Sequence, residues 1–191
     1  MDWQAQYASG ETPWDKGAPH PAIVDFIAAS GPFTGRILIP GCGAGHDVRA
    51  VSTAANEAVG LDLAPGAADK ARTYPRTGNE TYMTGDLLKL GPQFRASFDW
   101  VVEHTCFCAI DPALRPAYAE AVAAALKPGA RIFAIFYLNP GGDREGPPFG
   151  VAVAELDQFF SPFFAVEQEW VPARTFEGRE DRELVRILRR L

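Results

Sequence analysis

Cysteine is scarce in this chain, with three in 191 residues, and Cys42, Cys106 and Cys108 form no CxxC pair. An odd count without that spacing argues against a disulfide framework and fits a reducing compartment. No apolar run approaches the ~20 residues that cross a bilayer, so no membrane partner is expected. Positive charge is in deficit: 18 Lys and Arg against 24 Asp and Glu leave a net charge of -6. Such a chain presents no field that draws in nucleic acid, and small molecules are its expected partners. Met1-Asp2-Trp3-Gln4 lacks the basic and apolar regions of a secretory signal. The chain is therefore taken as complete, cytoplasmic, and a monomer or weak homodimer. No internal repeat, low-complexity tract or linker divides it, and its length fits one domain over residues 1–191.

What is present centres on Arg36-Ile37-Leu38-Ile39-Pro40-Gly41-Cys42-Gly43-Ala44-Gly45-His46-Asp47. Aliphatic residues without polar alternation suit a parallel strand covered on both faces, and three glycines strip side chains from the point where it ends. The residues before it predict a helix over 19–30, stopped by Gly31-Pro32. Those after it predict a helix over 46–55, a strand over 57–62 ending in Asp62, a helix over 64–74, and a strand over 80–84 leading to Asp86. A fourth strand covers 98–103, with continuation to 108 left open, then a helix over 112–126 and a strand over 130–138. Beyond residue 150 come a helix over 153–160 and strands over 164–171 and 182–190. In the last strand Val185 and Ile187 point one way and Leu184, Arg186 and Leu188 the other, which fits a closing antiparallel hairpin.

This alternation predicts an α/β fold, a doubly wound, mostly parallel seven-stranded sheet. Right-handed crossovers put the strand C-termini along one edge, where ligands of such sheets bind. That edge collects residues 41–45, Asp62, Asp86, residues 103–108 and the glycine-rich span 139–150, the one candidate flexible loop. Residues 1–17, with Trp3, Tyr7 and Trp14, show no sustained period and read as an ordered arm. Trp14-Asp15-Lys16-Gly17 is either a ligand lid or a place where tryptophan only covers the sheet.

A dinucleotide fingerprint, GxGxxG, needs its third glycine at position 46, where this chain has His46. That mismatch and the absence of a Tyr-x-x-x-Lys pair count against the rival reading, a nicotinamide-dependent oxidoreductase. The spacing Gly41-x-Gly43-x-Gly45 suits S-adenosylmethionine, which has no pyrophosphate to seat. Asp62 is placed to accept hydrogen bonds from ribose hydroxyls and Asp86 from an adenine amine; the alternative is that both acids merely cap helices.

Six stretches lie in order along the chain: Thr12-Pro13-Trp14-Asp15-Lys16-Gly17, the segment from Ile39 to Asp47, Gly60-Leu61-Asp62-Leu63, Cys108-Ala109-Ile110-Asp111-Pro112 with Arg115-Pro116, Leu126-Lys127-Pro128-Gly129, and Gly146-Pro147-Pro148-Phe149. Together they resemble the thiopurine S-methyltransferase-like superfamily, and best its halide, thiocyanate and thiol methyltransferase branch. The resemblance implies a class I methyltransferase, Rossmann-like fold. It also implies transfer of the sulfonium methyl of S-adenosylmethionine to a small soft nucleophile, leaving S-adenosylhomocysteine. By position, Trp14 would cover the cofactor, Gly41, Gly43 and Gly45 face its amino acid part, Asp62 its ribose and Asp86 its adenine. Ile39 stands where most methyltransferases carry an acid before the first glycine, and Asp47 is expected to take over contact with the cofactor amine.

The chain departs from its relatives in the fourth-strand segment, which they commonly write Asp-Tyr-Thr-Phe-Phe-Cys and this chain writes Glu103-His104-Thr105-Cys106-Phe107-Cys108. An anionic nucleophile needs no base, whereas a neutral thiol must lose its proton because the thiolate reacts. Histidine titrates nearest neutrality, so His104 is a candidate general base favouring a protonated acceptor over halide; a histidine satisfied by local backbone is the alternative. His104 and Glu103 are the catalytic candidates, and Glu103 is also counted with the cofactor-binding set. Cys106, Arg115, Pro148 and Phe149 are the substrate-side candidates, with Tyr118 on the helix of Arg115. His104, Cys106 and Cys108 would share one face of a regular strand, a soft-metal donor set without a fourth ligand, and no metal is expected. Cys42 reads as a small loop residue, Asp143-Arg144-Glu145 as a solvated loop, and Arg186, Arg189 and Arg190 as a strand face near water. A non-catalytic S-adenosylmethionine-binding sensor is the alternative to an enzyme.

Overall fold

The computed structural model describes residues 1–138 and 146–191, so Asp143-Arg144-Glu145 and most of the 139–150 span lie outside the described residues. Strand β1 (Arg36–Pro40) sits mid-sheet, parallel to β2 (Glu57–Asp62) and to β4 (Phe98–His104). Its Ile37 and Ile39 enter one core and Leu38 the other, so both faces must be covered, as its unbroken apolar run requires. Parallel β3 (Glu80–Thr84) extends the sheet beyond β2, and parallel β5 (Leu126–Tyr137) extends it beyond β4. Antiparallel β7 (Glu183–Arg190) and β6 (Phe164–Trp170) close that side, giving the order β3-β2-β1-β4-β5-β7-β6. Val185 and Ile187 join one core while Leu184 and Leu188 join the other, the phase the sequence predicts.

Six α-helices accompany the sheet among the described residues: α1 (Trp3–Ser9), α2 (Pro21–Ser30), α3 (His46–Val51), α4 (Pro65–Arg72), α5 (Arg115–Ala125) and α6 (Val153–Phe160). Pro21 and Pro65 occupy first-turn positions where a missing N–H costs nothing. The imidazole of His20 caps α2 by accepting the Ala22 N–H. Helix α1 lies inside residues 1–17, whose sequence shows no sustained period and reads as an ordered arm. It has no buried residue, hence no apolar stripe, and is set instead by its Asp2 cap and a left-handed Gly10 at φ +77°. Helix α3 is shorter than predicted. The Asn56 amide donates to Val51 and Phe33 carbonyls and accepts the Thr53 N–H, folding residues 52–56 into a turn. Strand β5 starts before its predicted boundary because Leu126 pairs with Phe98. Arg186 is a further correction: it is buried between Asp157 at 2.8 Å and Glu169 at 2.7 Å rather than near water.

The sheet order reverses between β1 and β4, the topological switch point at which α/β sheets open a crevice. Both strands end there, β1 at Pro40 just before Gly41 and β4 at His104 just before Thr105. Thr105 adopts φ +57°, an uncommon conformation for a β-branched residue, and this stops β4 at His104. Residues 107–109 then form a short 3-10 turn. His104, Cys106 and Cys108 therefore do not share a strand face, and the soft-metal arrangement falls with the regular strand it needed. Among the described residues no helix is long and apolar enough to cross a membrane.

Candidate active site

The loop after β1 is tied to the end of β2. Cys42 N–H donates to Leu61 O at 3.1 Å, and Gly43 N–H donates to Asp62 Oδ2 at 2.9 Å. Asp62 Oδ1 accepts the Ala64 N–H at 2.9 Å. Burial pushes the Asp62 carboxyl up from its ordinary value, against three backbone N–H groups that favour the anion. Gly41, Gly43 and Gly45 all have positive φ, at +60°, +53° and +74°. A Cβ on Gly41 would lie 2.8 Å from Cys106 Sγ, and one on Gly45 would lie 2.5 Å from the Tyr82 ring. The loop thus has no room for side chains and presents backbone toward the crevice.

Over this loop lies the N-terminal arm. Trp14 makes edge contacts with Trp3 and Tyr7, its indole N–H donates to Tyr7 Oη at 3.3 Å, and Tyr7 Oη approaches the Gly43 position to 3.2 Å. Burial is the main cause of a Tyr7 hydroxyl pKa pushed up to about 12. Asp15 fastens the arm by an ion pair with Lys70 at 2.7 Å and a contact with His46 at 3.0 Å. Trp14, Gly41, Gly43, Asp47, His104 and Phe176 border a half-open cleft of about 480 Å³, open solvent included.

His104 forms the far wall. Its Nδ1 lies 2.6 Å from Asp47 Oδ2, and Asp47 Oδ1 accepts the His20 N–H at 2.8 Å. Burial alone would raise the Asp47 carboxyl. Electrostatic attraction to the His104 ring and its hydrogen bond, with the His20 N–H, reverse this and hold it below the usual range. An ionised Asp47 makes Nδ1 the donor. On the other side Arg179 Nη1 stands 3.4 Å from Nε2, and a guanidinium can only donate, so Nε2 presents its lone pair. Asp47, expected at the cofactor amine, has both oxygens engaged inside the protein, though each retains a lone pair.

The remaining candidates divide between two neighbourhoods. Glu103 points to the other face of β4, buried, where it accepts the Phe107 N–H at 2.9 Å and the Tyr118 hydroxyl. It does not join the cleft lining; burial raises both its carboxyl and the Tyr118 hydroxyl. Arg115, also buried, donates to the carbonyls of Phe149 and Gly150 at 3.1 and 3.0 Å, and Phe149 N–H donates to Cys108 O at 2.7 Å. Pro148 and Phe149 are thus held against the turn after β4. Asp86 caps a short turn through the Leu88 N–H at 2.9 Å, next to Gly85, whose N–H donates to Asp62 O at 2.8 Å. Burial raises all three thiols, so none is a ready thiolate. Sequence reasoning missed Tyr7's position and all of His20, Phe176, Arg179 and Glu183. Separations such as the 163 residues between His20 and Glu183 leave no local signal.

A glycine loop at a switch point, an acid closing β2 and an aromatic arm above them define the class: a Rossmann-like protein built around a nucleoside-bearing cofactor. The thiopurine S-methyltransferase family model matches residues 1–181, and the chain belongs to that family. It is 36% identical over 187 residues to thiocyanate methyltransferase 1 of Brassica oleracea, covering 93% of this chain and 81% of that one. Among solved structures it superposes with TM-score 0.81 and 24% identity on one from a study of the conversion of a disulfide bond into a thioacetal group during echinomycin biosynthesis, covering 98% of this chain and 90% of that one. A Burkholderia thailandensis 1,6-didemethyltoxoflavin-N1-methyltransferase, solved with S-adenosylhomocysteine, superposes with TM-score 0.69 at 20% identity, covering 99% and 85%. The chain is a methyltransferase whose cofactor is S-adenosylmethionine. The glycine cradle and the free lone pairs of Asp62 fit that cofactor.

Proposed function

We propose that the chain methylates a small soft nucleophile, a protonated thiol before thiocyanate or halide, with His104 as the general base. The observation that carries this reading is the 2.6 Å Asp47–His104 contact at the cleft wall, which puts the ring proton on Nδ1 and makes Nε2, approached by Arg179 Nη1 at 3.4 Å, the accepting nitrogen. Bound S-adenosylmethionine supplies an electrophilic methyl group on a sulfonium centre. The protein's part is placement, exclusion of water and removal of one proton. The glycine loop would hold the amino acid part, Asp62 the ribose and Asp86 the adenine amine through lone pairs their capping bonds leave free. Trp14 would close over the cofactor. Arg115 would act through Pro148 and Phe149, which it holds at the acceptor side. The relative named a thiocyanate methyltransferase and the S-methyltransferase family description support a sulfur acceptor. The acidic balance and unpaired cysteines support a cytoplasmic, single-domain protein, monomer or weak homodimer, that does not engage nucleic acid.

Turnover with a panel of thiols, thiocyanate and iodide tests the reading. Thiol turnover is expected to fall with His104→Ala at neutral pH and to recover as rising pH ionises the thiol itself. Equal loss at every pH would remove the general-base role. Binding of S-adenosylhomocysteine without turnover of any acceptor would instead identify a sensor.

A further inference from the structure

Behind His104 lies a second carboxylate and imidazole that proton removal as described does not use. Glu183 opens β7 and His20 caps α2; their side chains are 1% and 0% exposed and lie 2.8 Å apart. Glu183 also receives the Thr175 hydroxyl and, at 3.2 Å, Arg179 Nη1. A buried ion pair is weak evidence of stabilisation in itself, so what these groups hold in place matters more. They hold His104. The His20 ring meets the His104 ring edge-on at 4.6 Å, and Phe176 stacks on it at 6.1 Å. Arg179, fixed by Glu183, rests over Tyr137 at 5.1 Å and aims at Nε2 of His104.

The ligand atoms of His20, His104 and Glu183 lie within 4.8 Å of one another, the spacing of a metal cluster. Two features oppose that use. The His20 Nδ1 accepts the Ala22 N–H at 3.1 Å, so the ring's proton sits on Nε2, the atom that would face an ion. Arg179 already places a cation in the same space.

We propose that Glu183, clamped by His20 and Thr175, is a positioning residue: it keeps Arg179 against His104 Nε2 and so holds His104 in the Nδ1–H form that accepts a thiol proton. In that step the S–H bond breaks, its electron pair stays on sulfur and the proton passes to Nε2. The 3.4 Å approach of Arg179 is longer than an ordinary hydrogen bond, so the incoming proton can displace it. The charged groups facing His104 are Asp47 from α3, His20 from the α2 cap, Arg179, Glu183 from β7, and Glu103 from the reverse face of its own strand.

The proposal rests on the general-base reading, and the experiment separates the two. Glu183→Gln is introduced in the full chain, and His104 is observed by nitrogen-15 NMR without added ligand. Wild type is expected to show the Nδ1–H tautomer alone, and the variant a mixture. Thiol turnover should fall at least about tenfold at pH 7, part of the ~10²–10⁴ typical of general-base catalysis, with thiocyanate turnover and S-adenosylhomocysteine affinity within about twofold. Glu183→Asp, restoring the charge, should regain part of the loss. Thr175→Val should show the same pattern more weakly and serves if the Gln variant does not fold. An unchanged tautomer, or equal loss with thiol and thiocyanate, overturns the positioning role. If His104→Ala shows no thiol-specific loss, the general-base reading fails, while the tautomer still decides what Glu183 does.

Discussion

Asp47→Asn changes one atom and should reverse the chemistry of His104. Asp47 Oδ1 accepts the His20 N–H at 2.8 Å, so an asparagine must keep its carbonyl there and turn its amide N–H toward His104 Nδ1. Nδ1 then becomes an acceptor, the ring's proton moves to Nε2, and the nitrogen meant to accept a proton already carries one. The 2.6 Å contact is charge-assisted, of a kind contributing about 1.5–3 kcal/mol, and it is lost as well. General-base catalysis is typically ~10²–10⁴-fold, or about 3–5 kcal/mol, so thiol turnover at pH 7 should fall by about 100-fold or more. Thiocyanate carries no proton to remove and should lose no more than about threefold. Initial rates with both acceptors at saturating cofactor measure the ratio directly. Equal losses would refute the assignment and make Asp47 a structural residue. Stability supplies a second reading. The folded-state pKa of Asp47 lies below its ordinary value, so its stabilisation is present above about pH 4 and is lost as pH falls through the folded value. Wild type should melt above the Asn variant at pH 7, and the gap should close in acid.

Gly45→Ala adds a Cβ 2.5 Å from the Tyr82 ring at φ +74°, so the melting temperature should drop by the equivalent of about 1–3 kcal/mol. Calorimetry should find S-adenosylhomocysteine binding weakened with it; wild-type binding would count against the loop as the cofactor seat. His20 should make the fold acid-sensitive. Burial is the main cause of its lowered pKa, with the neighbouring His104 adding to it and Glu183 opposing, so below about pH 6.5 the unfolded chain binds the proton more readily. Melting temperature should fall from there downward, and His20→Asn should flatten that slope; an unchanged slope would assign the sensitivity elsewhere.

The sheet was legible because its strands are written as runs. Ile37, Leu38 and Ile39 need no partner to declare a strand buried on both faces, and the alternation around Val185 and Ile187 shows the closing hairpin. What escaped depends on particular polar groups. Nothing in the composition of residues 52–56 distinguishes a helix from a turn held by the Asn56 amide. The end of β4 hangs on one backbone torsion at Thr105, and α1 has no apolar stripe by which a period could be recognised.

The two halves of the site differ in the same way. The proposed cofactor half is nearly contiguous, since the loop from Gly41 to Asp47 follows β1, Asp62 ends the adjacent β2, and Gly43 bonds to Asp62. The proposed acceptor half is assembled from α3, the cap of α2, the end of β4 and the segment leading into β7. Position 104 therefore cannot be interpreted alone. A tyrosine at this position would offer a hydroxyl with one donor, whereas an imidazole has two nitrogens that must be given opposite roles. Here a carboxylate on Nδ1 and a guanidinium near Nε2 assign those roles, and a buried carboxylate holds the guanidinium. On the proposed general-base reading, acceptor choice would follow from what surrounds the histidine as much as from the histidine, and transplanting His104 into a chain without Asp47, Arg179 and Glu183 would carry over the ring but not its proton-accepting form.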